Sequence, residues 1–357
     1  PVSIGNAGYM FTALLSSLAE KGRQPLVNTE GAMVKYGSKK TADEYRLGAW
    51  SHVIHGDQAI VPTYWAFFPA ADSVNHPANN EMDVLPAMCE IGKSFKEYGE
   101  LLAPVPRIRG TTALFVSFET LRDLRRPFSP EKEFYAGTFS RRPLDLVTSA
   151  QILEGKLSRY RALMLSAAHL VDPKVFAKIR EWVKAGGIAL ASPETFLGDE
   201  YGAPIKDADG FFPCARNFAR IDTFESGRPD DKAETKVQAF GKGRVYQFCV
   251  TPTARRMLEA WKGILSDNGL APDVSVEGSG ADFFVEAQVV ERASGPILFV
   301  GNYQAKAVEV QIPVAGKLAC GVSSPVSLLN GSCRTVKNGC VRLNVPAHGC
   351  EVLWFRK

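Results

Sequence analysis

The sequence lacks any apolar run of the roughly 18 residues that a membrane-crossing helix needs, so no transmembrane segment is expected. It has no basic stripe either. Lys and Arg number 42 against 38 Asp and Glu, a net charge of +4, and their scatter argues against a nucleic-acid surface. None of the seven cysteines forms a Cys-x-x-Cys pair, so no structural zinc is expected, and nothing calls for another metal or cofactor. Cys89, Cys214 and Cys249 stand alone. Cys320, Cys333, Cys340 and Cys350 cluster near the C-terminus, either as buried free thiols on strands or as one or two disulfides, which leaves the redox compartment open. Internal repeats and low-complexity tracts are absent too. Residue 1 is Pro, with no charged segment leading into a short apolar run, so no secretory signal is legible, localisation is not readable, and the natural start is expected further upstream.

What is present is the composition of an ordinary folded protein, 45% hydrophobic and 22% charged over 357 residues, enough for two or three domains. Tyr9–Lys21, Asp43–Ile54 and Val84–Leu102 carry apolar residues at helical spacing, while Pro25–Asn28 and Ala59–Phe68 read as strand-like runs; Pro104 and Pro106 then interrupt the chain. The order α-β-α-β-α implies parallel strands joined by crossover helices. Two such strands make no independent sheet, so the first domain, 1–105, needs something to complete it. Next, Ala113–Phe118, Ala162–Ser166 and Ile188–Ala191 read as buried strands, and Pro173–Lys184 as an amphipathic helix stopped by Gly186 and Gly187. Lys236–Phe240 and Arg244–Cys249 flank Gly-Lys-Gly as a hairpin, and Pro252–Asn268 is a last helix. This predicts a doubly wound α/β domain over 106–272. From Asp282 onward, short β-type runs alternate with Gly, Pro and Asn turns, which predicts a small antiparallel sandwich over 273–357.

The candidate chemistry lies in the first domain. In "QPLVNTEGAM" a short apolar run ends at Asn28, followed by Thr29, Glu30 and Gly31. A carboxylate just past the C-terminal end of a parallel strand sits where (β/α) barrels assemble their sites. The next strand ends in Tyr64 and Trp65, and an indole there offers a flat face for the C–H face of a sugar. Asn28 and Tyr64 complete the candidate substrate-binding set. His55 is read as a helix-end residue packed against the barrel, and Asp57, Asp72 and Glu81 as surface or substrate-loop residues. Ser166, Ser192 and His169 lie near strand ends of the second domain, but no Gly-x-Ser-x-Gly elbow exposes either serine, so that domain is read as structural.

The stretch "EYRLGAWSHVIHGDQAIVPTYW" resembles the end of the catalytic barrel in family 42 glycoside hydrolases, the β-galactosidases of a large retaining clan, with Arg46, His55, Gly56 and Trp65 at the family's spacing. "EWVKAGGIALASPETFLGDEYG" is similar to the family's amidotransferase-like trimerisation domain, and "VRLNVPAHGCEVLWF" to its C-terminal β-domain. The resemblance implies the last two β/α units of a TIM barrel, then a flavodoxin/amidotransferase-like α/β domain, then a β-sandwich. It also implies a retaining exo-acting β-glycosidase acting on terminal non-reducing sugars, Glu30 as nucleophile, and a homotrimer. Retaining hydrolysis needs two carboxyl groups about 5–5.5 Å apart. The acid/base is therefore expected on an upstream segment with the other six barrel strands. The competing reading is non-catalytic: a degenerate barrel remnant serving oligomerisation or carbohydrate binding.

Overall fold

A computed structural model describes residues 41–57, 84–102, 110–123, 130–166, 168–205, 208, 210–217, 233–278, 284–320 and 324–357, with the backbone of 27–28 and 59–60. They divide into two compact units, one within 1–108 and 272–357, the other within 109–271.

In the first unit, β1 (Val27–Asn28) and β2 (Ala59–Ile60) pair in parallel, Val27 opposite Ala59 and Asn28 opposite Ile60. The α-β-α-β order requires this direction. Between them runs α1 (Ala42–Ile54), started by a reciprocal capping box: the Thr41 hydroxyl accepts from the Glu44 amide, and the Glu44 carboxylate accepts from the Thr41 amide. The helix is buried continuously from Leu47 to Ile54, because it has a packing partner on each side. Toward α2 (Val84–Leu102), Tyr45 and Ala49 meet Ala87 and Ile91, and Trp50 sets its ring edge-on to Phe95 at 5.1 Å. Its opposite side lies on the β-sandwich.

That sandwich contains β9 (Val285–Val290), β10 (Ile297–Asn302), β11 (Val308–Pro313), β12 (Val326–Ser327), β13 (Val336–Lys337), β14 (Cys340–Val345) and β15 (Cys350–Trp354). One sheet runs β12-β15-β10-β9 and the other β11-β14-β13, antiparallel throughout as the sequence predicts. Val285, Ala287, Val289, Leu298 and Val300 meet Val308, Val310, Val341 and Leu343 in the core. In β14 burial alternates with exposure, the pattern of a sheet with one wet face, whereas β9 and β10 are buried at every position. The helix explains the difference for β10, since α1 covers its outer face. A β-carbon on Gly301 would come within 3.0 Å of Leu47 Cδ1.

The second unit is built on β3 (Thr112–Val116), β4 (Leu144–Thr148), β5 (Ala162–Met164), β6 (Ile188–Ala191), β7 (Thr235–Phe240) and β8 (Gly243–Phe248), in the order β4-β3-β5-β6-β8-β7. All pairings are parallel except the β7–β8 hairpin. Its helices are α3 (Phe118–Leu121), α4 (Glu131–Thr138), α5 (Ser149–Leu153), α6 (Pro173–Lys184) and α7 (Ala254–Asp267). Two expectations change here. Phe118 opens α3 instead of closing β3, because the Ser117 hydroxyl accepts from the Thr120 amide and caps a helix. Cys214 and Cys249 are not isolated: they form a disulfide with their Cα atoms 5.6 Å apart, a pairing their separation of 35 residues conceals. The C-terminal four are free thiols, and of these only Cys350 is buried; burial, followed by the Glu351 charge, raises its pKa.

Candidate functional site

β1 and β2 run in the same direction, with Asn28 at the end of β1 opposite Ile60 on β2. Glu30, Tyr64 and Trp65 lie outside the described residues, as do Asp72 and Glu81; of Asn28 the backbone alone is described. The scaffold before β2 is described from Thr41 to Asp57.

There α1 ends at His55, and Gly56 turns the chain at φ +113°, a backbone setting that favours glycine. The turn brings the Asp57 amide back to the His52 carbonyl at 3.0 Å and sets the Asp57 carboxylate 2.7 Å from His52 Nδ1. Asp57 is only 4% exposed, so its expected surface or substrate-loop role is corrected: it is a buried tie between the helix and the approach to β2. A buried carboxylate is tolerated when hydrogen-bonded to such a partner. His55 does end its helix as expected, but its ring reaches the sandwich, with Nε2 2.7 Å from Glu286 Oε1. Tyr303 donates to Glu286 Oε2 at 2.8 Å, and its oxygen lies 2.9 Å from Ser51 Oγ. Glu286 is fully buried, so this chain of polar groups fastens α1 to β9 from inside. Arg46, at the spacing noted above, bridges α1 to α2 by pairing with Asp43 and Glu90. Arg46, His55 and Gly56 thus serve as scaffold. Sequence reasoning missed Glu286 and Tyr303; the signal was one acid inside the apolar run "FFVEAQVV".

In the second unit, Ser192 donates to the Ser166 carbonyl at 2.9 Å, and His169 Nε2 lies 3.3 Å from the buried Asp123 carboxylate. Neither serine has the left-handed backbone found at other non-glycine positions such as Phe196, so neither shows the strain of an exposed nucleophile on a sharp turn. Glu133 on α4 is buried, and desolvation raises its pKa despite Lys132 nearby. Among the described residues, no cluster of three or more His, Cys, Asp or Glu could hold a metal ion, and no helix is long and apolar enough to cross a membrane.

The arrangement has the fold of family 42 glycoside hydrolases over nearly its whole length. A catalytic mutant of a family 42 β-galactosidase from G. stearothermophilus superposes with a TM-score of 0.69 at 15% identity, covering 98% of this chain and 56% of that one. The β-galactosidase from Bacillus circulans sp. alkalophilus gives 0.66 at 17% identity, covering 98% and 57%. A family 42 exo-carrageenase from Bacteroides ovatus gives 0.64 at 15%, covering 97% and 43%. The chain therefore spans about half the length of the structures it resembles. No protein-family model matches the sequence, and no curated protein matches it.

Proposed function

We propose that this chain forms the C-terminal part of the machinery of a retaining exo-acting β-glycosidase, β-galactosidase-like, that hydrolyses terminal non-reducing sugars by double displacement. Glu30 attacks the anomeric carbon; Trp65, with Tyr64 and Asn28, holds the sugar; and the acid/base comes from a segment preceding residue 1. The observation that carries the reading is the parallel pairing of β1 with β2, the direction that neighbouring strands of a (β/α) barrel require. Support also comes from the fold shared with family 42 hydrolases and from the need for a second carboxyl group. The 106–272 domain acts in assembly, as a homotrimer, without chemistry of its own.

An activated aryl leaving group departs without protonation, so the nucleophile can be tested apart from the acid/base. Incubation with 2,4-dinitrophenyl 2-deoxy-2-fluoro-β-galactoside is expected to add one fluoroglycosyl group to the Glu30 peptide, and Glu30→Gln to abolish the addition, since the amide cannot attack. Labelling of another residue, or of Glu30→Gln, overturns the assignment. Reversible sugar binding with no labelling supports the non-catalytic reading instead.

A further inference from the structure

The last turn of α6 carries Trp182, and the chain then turns through Gly186 and Gly187 into β6. Trp182 lies flat on Gly187: a β-carbon there would sit 2.5 Å from Cδ2 and Cε2 of the indole, so only glycine lets the ring settle. Its Nε1 donates to the Tyr160 carbonyl at 3.3 Å, fixing the ring edge. It lines a groove of about 510 Å³, formed wholly within residues 152–187, where Tyr160 and Trp182 are the aromatic lining. Three exposed charged residues stand at the rim: Lys178 and Glu181, paired at 3.1 Å, and Arg161, which donates to the Asn268 carbonyl.

We propose that this groove is a carbohydrate-binding site, taking one or two units of an oligosaccharide, with the Trp182 indole as the stacking platform. The inference rests on the glycosidase reading for its ligand class. A ring fixed at one face and one edge offers apolar area without losing side-chain freedom on binding. The rim offers donors and an acceptor together, which suits hydroxyl groups that both give and take hydrogen bonds; an anion would meet Glu181, and a cation would meet Arg161 and Lys178. The volume is within the range of small-molecule sites.

Calorimetric titration of the full chain with β-1,4-galactotetraose tests it. Trp182→Ala is expected to weaken binding by at least about tenfold. Because Trp182 also packs on the core, a rim variant, Lys178→Ala with Glu181→Ala, is measured in parallel, with an expected loss of about threefold or more and unchanged circular dichroism. The Trp182-dependent binding is expected to survive in Trp65→Ala. Affinity unaltered by the rim and Trp182 changes, or no binding at all by the parent chain, overturns the inference. Loss in Trp65→Ala alone overturns it while leaving the glycosidase reading standing. That reading is decided separately by labelling at Glu30.

Discussion

Two buried acids show how local chemistry sets stability. Burial raises the folded-state pKa of Glu133 above the ordinary carboxylate value of 4.5, so the folded chain keeps that proton to higher pH than the unfolded chain does. The resulting stability is complete below the unfolded pKa and is lost as pH rises through the folded one. Glu133→Gln is therefore expected to raise the melting temperature at pH 7, by about 2–4 °C per kcal/mol recovered, and to flatten the decline above pH 4.5; a variant that melts lower at pH 7 contradicts this. Glu286 contributes through its partners instead, since His55 and Tyr303 both reach its carboxylate. Glu286→Ala removes a partner from both and is expected to cost about 2–4 kcal/mol in urea unfolding, with Glu286→Gln losing less because its amide oxygen still accepts from Tyr303. Such pairs were hard to read in the sequence. His52 and Asp57 are five residues apart across a helix end, and His55 and Glu286 are 231 apart, so no periodicity announces either pair.

Elements were far more legible than their faces. Val84–Leu102, Pro173–Lys184 and Ile188–Ala191 have the bounds their patterns predict, since apolar spacing and glycine stops are local signals. The strand β4 had no such signal: Asp145 interrupts its apolar run, and its first two residues are only half-buried at the sheet edge. Nor could spacing show that α1 is enclosed on both sides, because its second cover comes from a sheet more than 200 residues later. Glycine chemistry permits a sharper test at this scale. A β-carbon on Gly243, the first residue of β8, would come within 2.1 Å of the Val183 carbonyl oxygen and 2.2 Å of that of Gly187, both backbone atoms. Gly243→Ala should cost about 3 kcal/mol, whereas Gly263→Ala, on the exposed face of α7 with open space around it, should gain up to about 1 kcal/mol. Equal effects in thermal unfolding would refute the contrast. The disulfide is checked by alkylation before and after reduction, with five reactive thiols expected in the denatured oxidised chain and seven in the reduced one.

At the scale of the whole molecule, the proposed homotrimer connects surface chemistry to assembly. Most large apolar side chains described in the second unit are buried; the exposed ones are Leu153, Tyr201, Val237, Val250 and, on the short helix α3, Phe118 and Leu121 at 38% and 39%. We place the contact of the proposed homotrimer on α3, where Phe118 and Leu121 stand three residues apart on one side of the helix. Light scattering coupled to size exclusion is expected to give a trimer at micromolar concentration, with dissociation on dilution. Replacing Phe118 and Leu121 together by Glu should shift the distribution to monomer while leaving the far-ultraviolet circular dichroism unchanged, because both side chains are exposed and neither lies in the sheet. A parent chain that remains monomeric at these concentrations removes the trimer. A double variant that stays trimeric keeps the assembly but moves its contact away from α3.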